Sequence, residues 1–224
     1  MEAQACYPPP MPNLIFILLI SLAPLVSFSS SSKHESLISE IQKAWNQTKT
    51  YQADFEQTVL SKTIGAKEVT QGRMFVKKPL RLRWQTSDQK AVQILSGKEF
   101  WQIKSIRRGK QTQVDHYSDI SRLGDLGALT FLADEIDIRK SYKYKVLTET
   151  SSQVTLALHS KTGGRETILA EILKPSYLLA ALKLESVDSE TRITFKNVQT
   201  DARLEDSLFQ YQSKPQDTVH HHVR

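Results

Sequence analysis

Residues 71–84 read Q-G-R-M-F-V-K-K-P-L-R-L-R-W, and this stretch decides the fold class. Leu80, Leu82 and Trp84 alternate with Arg81 and Arg83, the period-two pattern of a strand with one apolar and one charged face. Met74 and Val76 form a similar run just before it. Pro79 has no backbone N–H and biases Lys78 toward an extended conformation, so two strands are expected to meet at a break there. The apolar face carries bulky side chains, which suggests a sheet that offers them to something other than an ordinary core.

The same alternation spreads outward in both directions. Tyr51, Ala53, Phe55 and Val59 alternate with Gln52, Asp54, Glu56 and Thr58, and Gly65 marks a turn. Residues 91–95 and 99–106 make a hairpin around Gly97 and Lys98, followed by strands at 111–117, 142–147, 154–160, 167–173, 178–187 and 191–198. The count is about eleven strands, predominantly antiparallel because the connections are short. Two segments have helical spacing instead. Leu37, Ile38, Ile41, Ala44 and Trp45 fall on one helical face behind a capping box at Ser32 and Glu35. Leu123, Leu126, Leu129 and Leu132, with Phe131 beside them, recur at helical spacing but are interrupted by Gly124 and Gly127, so a short broken helix is expected.

At 224 residues and without an internal repeat, the chain is expected to form one domain at residues 30–215. The apolar run at residues 14–28 is short for a membrane span and leads into serines, so residues 1–29 read as a cleavable signal peptide and the mature protein as exported. The single cysteine, Cys6, precedes that run, which leaves the mature chain without disulfides, Cys-based metal sites or a lipid-modified cysteine. The formal charge of +6 becomes +7 once the leader with Glu2 is removed. Lys and Arg are spread over many strands, a distribution that serves solubility, and export argues against a nucleic-acid partner.

No nucleophile elbow, phosphate loop or His-Glu-x-x-His motif is present, so neither an enzyme nor a cofactor is expected. His34, His116 and His159 sit in separate elements, and neighbouring Asp115 points away from His116 along a strand. No metal site is expected. The His220, His221 and His222 run is expected to lie in a disordered tail at residues 216–224.

In its order and spacing the chain resembles the outer-membrane lipoprotein carrier family, LolA. The residues that carry the resemblance are Tyr51-x-Ala53-x-Phe55-x-Gln57, Gln71-Gly72, Lys78-Pro79 with Trp84 beyond it, and Gly97-Lys98-x-x-Trp101. Ser207-Leu208-Phe209-Gln210-Tyr211 followed by Pro215 closes the pattern. The resemblance implies a mainly β fold, an unclosed antiparallel half-barrel whose helices form a lid over an apolar cavity. It also implies a monomeric periplasmic carrier of acylated lipoproteins, loaded by an inner-membrane lipoprotein-releasing ABC transporter and emptied by an outer-membrane receptor. A LolB-like receptor, or a carrier or sensor of other amphiphiles such as glycolipids, are the alternatives.

Under that resemblance the expected cavity wall is Phe55, Met74, Val76, Leu80, Leu82, Trp84, Ile94, Phe100 and Trp101. Strand neighbours face opposite sides, so not all of these can share one wall. The expected lid comprises Trp45, Leu129, Leu132 and Ala133. Lys78 stands where family members carry an arginine that bonds lid carbonyls, and a lysine keeps the charge but loses the planar multi-donor fork.

Overall fold

Each alternating run becomes a strand of a single sheet in the computed structural model, which describes residues 30–88, 90–106, 111–120, 131–161 and 167–222. Helix α1 (Ser30–Gln47) leads into β1 (Thr50–Ser61), β2 (Lys67–Lys77), β3 (Arg81–Thr86), β4 (Ala91–Ser96), β5 (Glu99–Ile106) and β6 (Gln111–Tyr117). Residues 131–133 are helical. After the short α2 (Ile138–Ser141) come β7 (Tyr142–Glu149), β8 (Gln153–Ser160), β9 (Thr167–Leu173), β10 (Leu179–Glu185), β11 (Ser189–Thr200) and finally β12 (Asp217–His222).

The strands lie in the order β12-β6-β5-β4-β3-β2-β1-β11-β10-β9-β8-β7. Two meanders, β1 to β6 and β7 to β11, join through the antiparallel β1–β11 pair, where Phe55 stands opposite Phe195. Among the described residues the edge strands β7 and β12 do not pair with each other, so the sheet is unclosed. Short hairpins enforce antiparallel neighbours throughout the meanders. The exception is β12, which runs parallel to β6 because the chain first crosses the sheet before reaching that edge. This strand occupies the stretch expected to be a disordered tail and raises the strand count from about eleven to twelve.

One face of the sheet packs against α1. Leu37, Ile38, Ile41 and Trp45 of the helix are all buried, as their helical spacing requires, and meet Tyr51, Phe55, Met74, Val76, Leu82 and Trp84 in a continuous apolar cluster. Fully burying side chains of this size contributes about 1.5–3 kcal/mol each. The helix begins at Ser30, so Ser32 lies inside its first turn rather than at its cap. Leu123, Leu126, Leu129, Gly124 and Gly127 lie outside the described residues.

Gly72 owes its place to an aromatic stack on this inner face. The rings of Phe55 and Trp84 lie 3.9 Å apart and nearly parallel. A Cβ on residue 72 would stand 2.1 Å from the Gln85 carbonyl oxygen and 2.5 Å from the Phe55 ring. Only a residue without a side chain fits there.

Candidate functional site

The inner face and the two segments that cover it define the site. Helix α1 supplies one half of the cover and residues 131–141 the other, and polar side chains of α1 zip them together. Asn46 donates to the Ile136 carbonyl and accepts from the Ile136 N–H, both at 2.9 Å. One turn earlier Gln42 accepts from the Ile138 N–H at 2.9 Å. Farther toward the helix start, Arg139 pairs with Glu35 at 3.0 Å. The Trp45 indole N–H reaches the Asp134 carbonyl at 3.3 Å, and its ring stacks on Phe131. Spacing of four residues puts Gln42 and Asn46 on one side of the helix. That polar pair flanking an apolar stripe is the signal in the sequence for this seam, although it does not identify the partner.

The β2–β3 turn ties both halves of the cover to the sheet. Lys78 is buried and its Nζ donates to the Trp45 carbonyl at 2.5 Å, while lying 3.9 Å from the centre of the Trp45 ring. Trp45 belongs to the last turn of α1, where carbonyls lack helical partners, so the ammonium caps the helix and meets the negative end of its dipole. Two residues on, the Leu80 N–H donates to the Ala133 carbonyl at 2.8 Å.

Burial pushes the Lys78 ammonium down to about 7, against the pull of the Glu135 carboxylate; Lys49 lowers it further, and Asp134 and Asp201 raise it. The loss of hydration dominates because the group sits in a largely apolar corner. Tyr51 is buried beside it, its hydroxyl donating to the Leu179 carbonyl at 3.0 Å, and burial raises its phenol well above the ordinary range.

Six expected wall residues, Phe55, Met74, Val76, Leu82, Trp84 and Phe100, are brought together in the inner cluster. Leu80 also packs against it, but with φ of 50° it has left the strand alternation. Ile94 and Trp101 do not join them. Ile94 stands opposite Arg83 and Trp101 opposite Ile94, on the other face of the sheet, because Phe100 already occupies the inward position of β5. Trp45, Leu132 and Ala133, the expected lid residues, are buried in the same cluster, and Leu129 lies outside the described residues.

The space between cover and sheet sits toward β8 to β10. Ile41, Gln42 and Trp45 of α1, Phe131, Ile136 and Ile138 of the covering segment, and Leu156, Leu158, Ala170, Ile172, Tyr177 and Leu179 line it. Its volume is about 20 Å³, little more than the roughly 10–15 Å³ one water requires. The expected wall residues lie on β1 to β5, whereas this space is lined by later strands whose signal in the sequence is the alternation of Val154, Leu156 and Leu158. Among the described residues this space is too small for an acyl chain.

The opposite face has a cover of its own. Residues 204–214 cross it and bury Leu204 and Phe209. Lys77 and Arg81 both reach Asp206, at 2.6 and 2.7 Å, and Arg83 donates to the Leu208 carbonyl at 3.2 Å. The charged side of the 71–84 stretch is therefore a clamp for the C-terminal segment. Trp101 lies between His116, 3.7 Å away, and Tyr211, 4.7 Å away. An open groove of about 610 Å³ remains beside them.

Among the described residues no group of three or more His, Cys, Asp or Glu side chains is arranged to hold a metal ion. Among the same residues no helix is long and apolar enough to cross a membrane.

Comparison with known proteins agrees with this geometry. The family described as "Outer membrane lipoprotein carrier protein LolA" matches residues 46–212. An outer-membrane lipoprotein carrier protein of Chromobacterium violaceum is 26% identical over 198 residues, covering 86% of this chain and 91% of its own. A protein of the same description from Coxiella burnetii is 23% identical, covering 89% of this chain and 91% of its own. The crystal structure of an uncharacterized conserved protein from Thermus thermophilus covers 84% of this chain and 99% of its own at 10% identity, with a TM-score of 0.51.

Proposed function

We propose, because this chain belongs to the LolA outer-membrane lipoprotein carrier family, that it shields the acyl chains of lipoproteins in the periplasm. It takes them from an inner-membrane ABC transporter and passes them to an outer-membrane receptor. Burying a methylene is worth roughly 0.8 kcal/mol, so an acyl chain of about fifteen methylenes gains roughly 12 kcal/mol by leaving water. A lipoprotein therefore crosses water only if a carrier replaces the bilayer with apolar surface.

The observation that carries this reading is an apolar inner face closed by a cover of two separate segments, α1 and residues 131–141. A cavity of about 20 Å³ holds no acyl chain, so loading displaces α1 and residues 131–141 from the sheet. The bonds from the β2–β3 turn, Lys78 to Trp45 and Leu80 to Ala133, are those that break first. Each net hydrogen bond contributes about 0.5–1.5 kcal/mol, less than the gain from burying the acyl chain. Lys78 is then the latch, and it releases α1 when cargo enters.

The test is to purify the protein from the periplasm of cells producing lipoproteins and identify bound species by mass spectrometry. Triacylated lipoproteins are the expected cargo. Recovery of free glycolipid alone would replace this reading with carriage of another amphiphile. A Lys78→Leu variant is expected to change the ratio of empty to loaded protein, and an unchanged ratio would remove the latch from the mechanism.

A further inference from the structure

Four of the chain's six histidines meet at the β6–β12 pair. In the parallel register His221 lies beside His116, His220 beside Asp115, and His222 beside Tyr117. Alternation divides them between the two faces of the sheet. His116 and His221 share the outer face, and their Nδ1 atoms are 3.0 Å apart with the rings at 87°. On the inner side His222 is already engaged, with its Nε2 3.1 Å from Asp115 and its ring stacked on Tyr117.

From this arrangement we propose that His116 and His221 form a two-imidazole site for a tetragonal late transition-metal ion, Cu(II) foremost, whose binding staples the C-terminal strand to the sheet. The separation of the nitrogens lets one ion reach both. Imidazole nitrogens bind at about 2.0–2.1 Å, so two nitrogens 3.0 Å apart subtend about 94° at a shared metal. That matches the cis angle of a square-planar or tetragonal centre, the preference of Cu(II) and Ni(II). Cu(II) also stands highest among the divalent first-row ions at a nitrogen site. Waters complete the coordination from the exposed side of the pair.

His116 is held ready for this role. Its ring lies flat on Trp101 at 3.7 Å, which fixes the direction of Nδ1. On metal entry the proton between the two Nδ1 atoms moves to the far nitrogen of its own ring. The far nitrogen of His116 is buried with no partner, so the site lacks the outer-shell acceptor that strengthens dedicated centres by about 10- to 100-fold. Because β12 anchors the segment that covers the outer face, metal binding stabilises that cover by mass action.

The experiment titrates CuCl2, then NiCl2 and ZnCl2, into the full-length mature protein while tryptophan fluorescence and the melting temperature are followed. One-to-one saturable quenching, tightest for Cu(II), with a raised Tm and an electron paramagnetic resonance spectrum showing two imidazole nitrogens, is the expected result. His221→Ala, on the exposed edge strand, weakens binding at least tenfold, and His116→Ala does the same. Trp101→Phe keeps binding but loses most of the quenching. His220→Ala and His222→Ala leave affinity within about threefold. Three results would each overturn the proposal: no saturable binding, tighter binding of Zn(II) than Cu(II), or loss of binding in His220→Ala or His222→Ala with His221→Ala unaffected. If His116→Ala fails to fold, His221→Ala and the nitrogen count decide.

Discussion

Raising the pH should stabilise the protein through Lys78, and replacing that residue should remove the effect. The ammonium is 9% exposed and its folded value is about 7, against 10.5 in water. Here a cationic group has a depressed folded value, so the unfolded chain binds the extra proton between those two limits. Stability then rises with pH across that interval, and below about pH 7 the penalty is present in full. About 3.5 pH units at about 1.36 kcal/mol each set a ceiling near 5 kcal/mol. The Trp45 ring and carbonyl favour the charged form by about 1–2 kcal/mol, which brings the expected gain over the whole interval to roughly 3–4 kcal/mol. Unfolding by urea would be measured for the wild type and Lys78→Met at pH 6.5, 8 and 9.5. The difference between the two removes the titration of other groups. The wild type should gain roughly 1.5–2.5 kcal/mol on the variant between pH 6.5 and 9.5, since that range covers about 2.5 of the 3.5 units. Parallel pH curves would refute the reasoning, because they would mean that Lys78 is as easily charged in the closed structure as in water.

Gly72→Ala should destabilise the fold by at least about 3 kcal/mol, since the new Cβ meets a backbone oxygen at 2.1 Å and the Phe55 ring at 2.5 Å; a melting temperature within two degrees of wild type would contradict the close fit. Phe209→Ala, at a side chain 1% exposed on the opposite face, is expected to cost about 3–5 kcal/mol and to raise binding of a hydrophobic dye. A cost below about 1 kcal/mol would mean that the C-terminal cover contributes little to the core. Tyr51→Phe leaves the Leu179 carbonyl without its donor and should lower stability by about 1–3 kcal/mol in denaturant unfolding, an effect absent if water replaces the hydroxyl.

Local pattern made most of the strands legible. The runs around Tyr51, Met74, Leu82, Leu156 and Ala170 alternate because one side of each strand meets the apolar cover, and that alternation is written in residue order. β12 escaped because His220, His221 and His222 carry no alternation of polarity. Its strand state comes from pairing with β6. Ile94 and Trp101 lie on the face opposite the expected wall for a related reason. In β4 both faces are buried, Leu95 inward and Ile94 outward, and in β5 the outward Trp101 is half-buried beside the buried Phe100, so hydrophobicity no longer distinguishes inside from outside.

For the candidate site, the sequence by itself determined that the sheet has a bulky apolar face, that α1 lies on it with Trp45, and that a basic residue sits at the Lys78-Pro79 break. Those are properties of short segments, fixed by periodicity of two or 3.6 and by proline chemistry. Only the tertiary structure decided that Lys78 reaches the Trp45 carbonyl 33 residues away, that Arg81 and Arg83 clamp a segment 125 residues distant, and that His116 meets His221. Such contacts depend on how the whole sheet curves and which strands become neighbours. A long-range contact costs loop closure and is returned only by the packing of the finished fold, so no local signal marks its two ends.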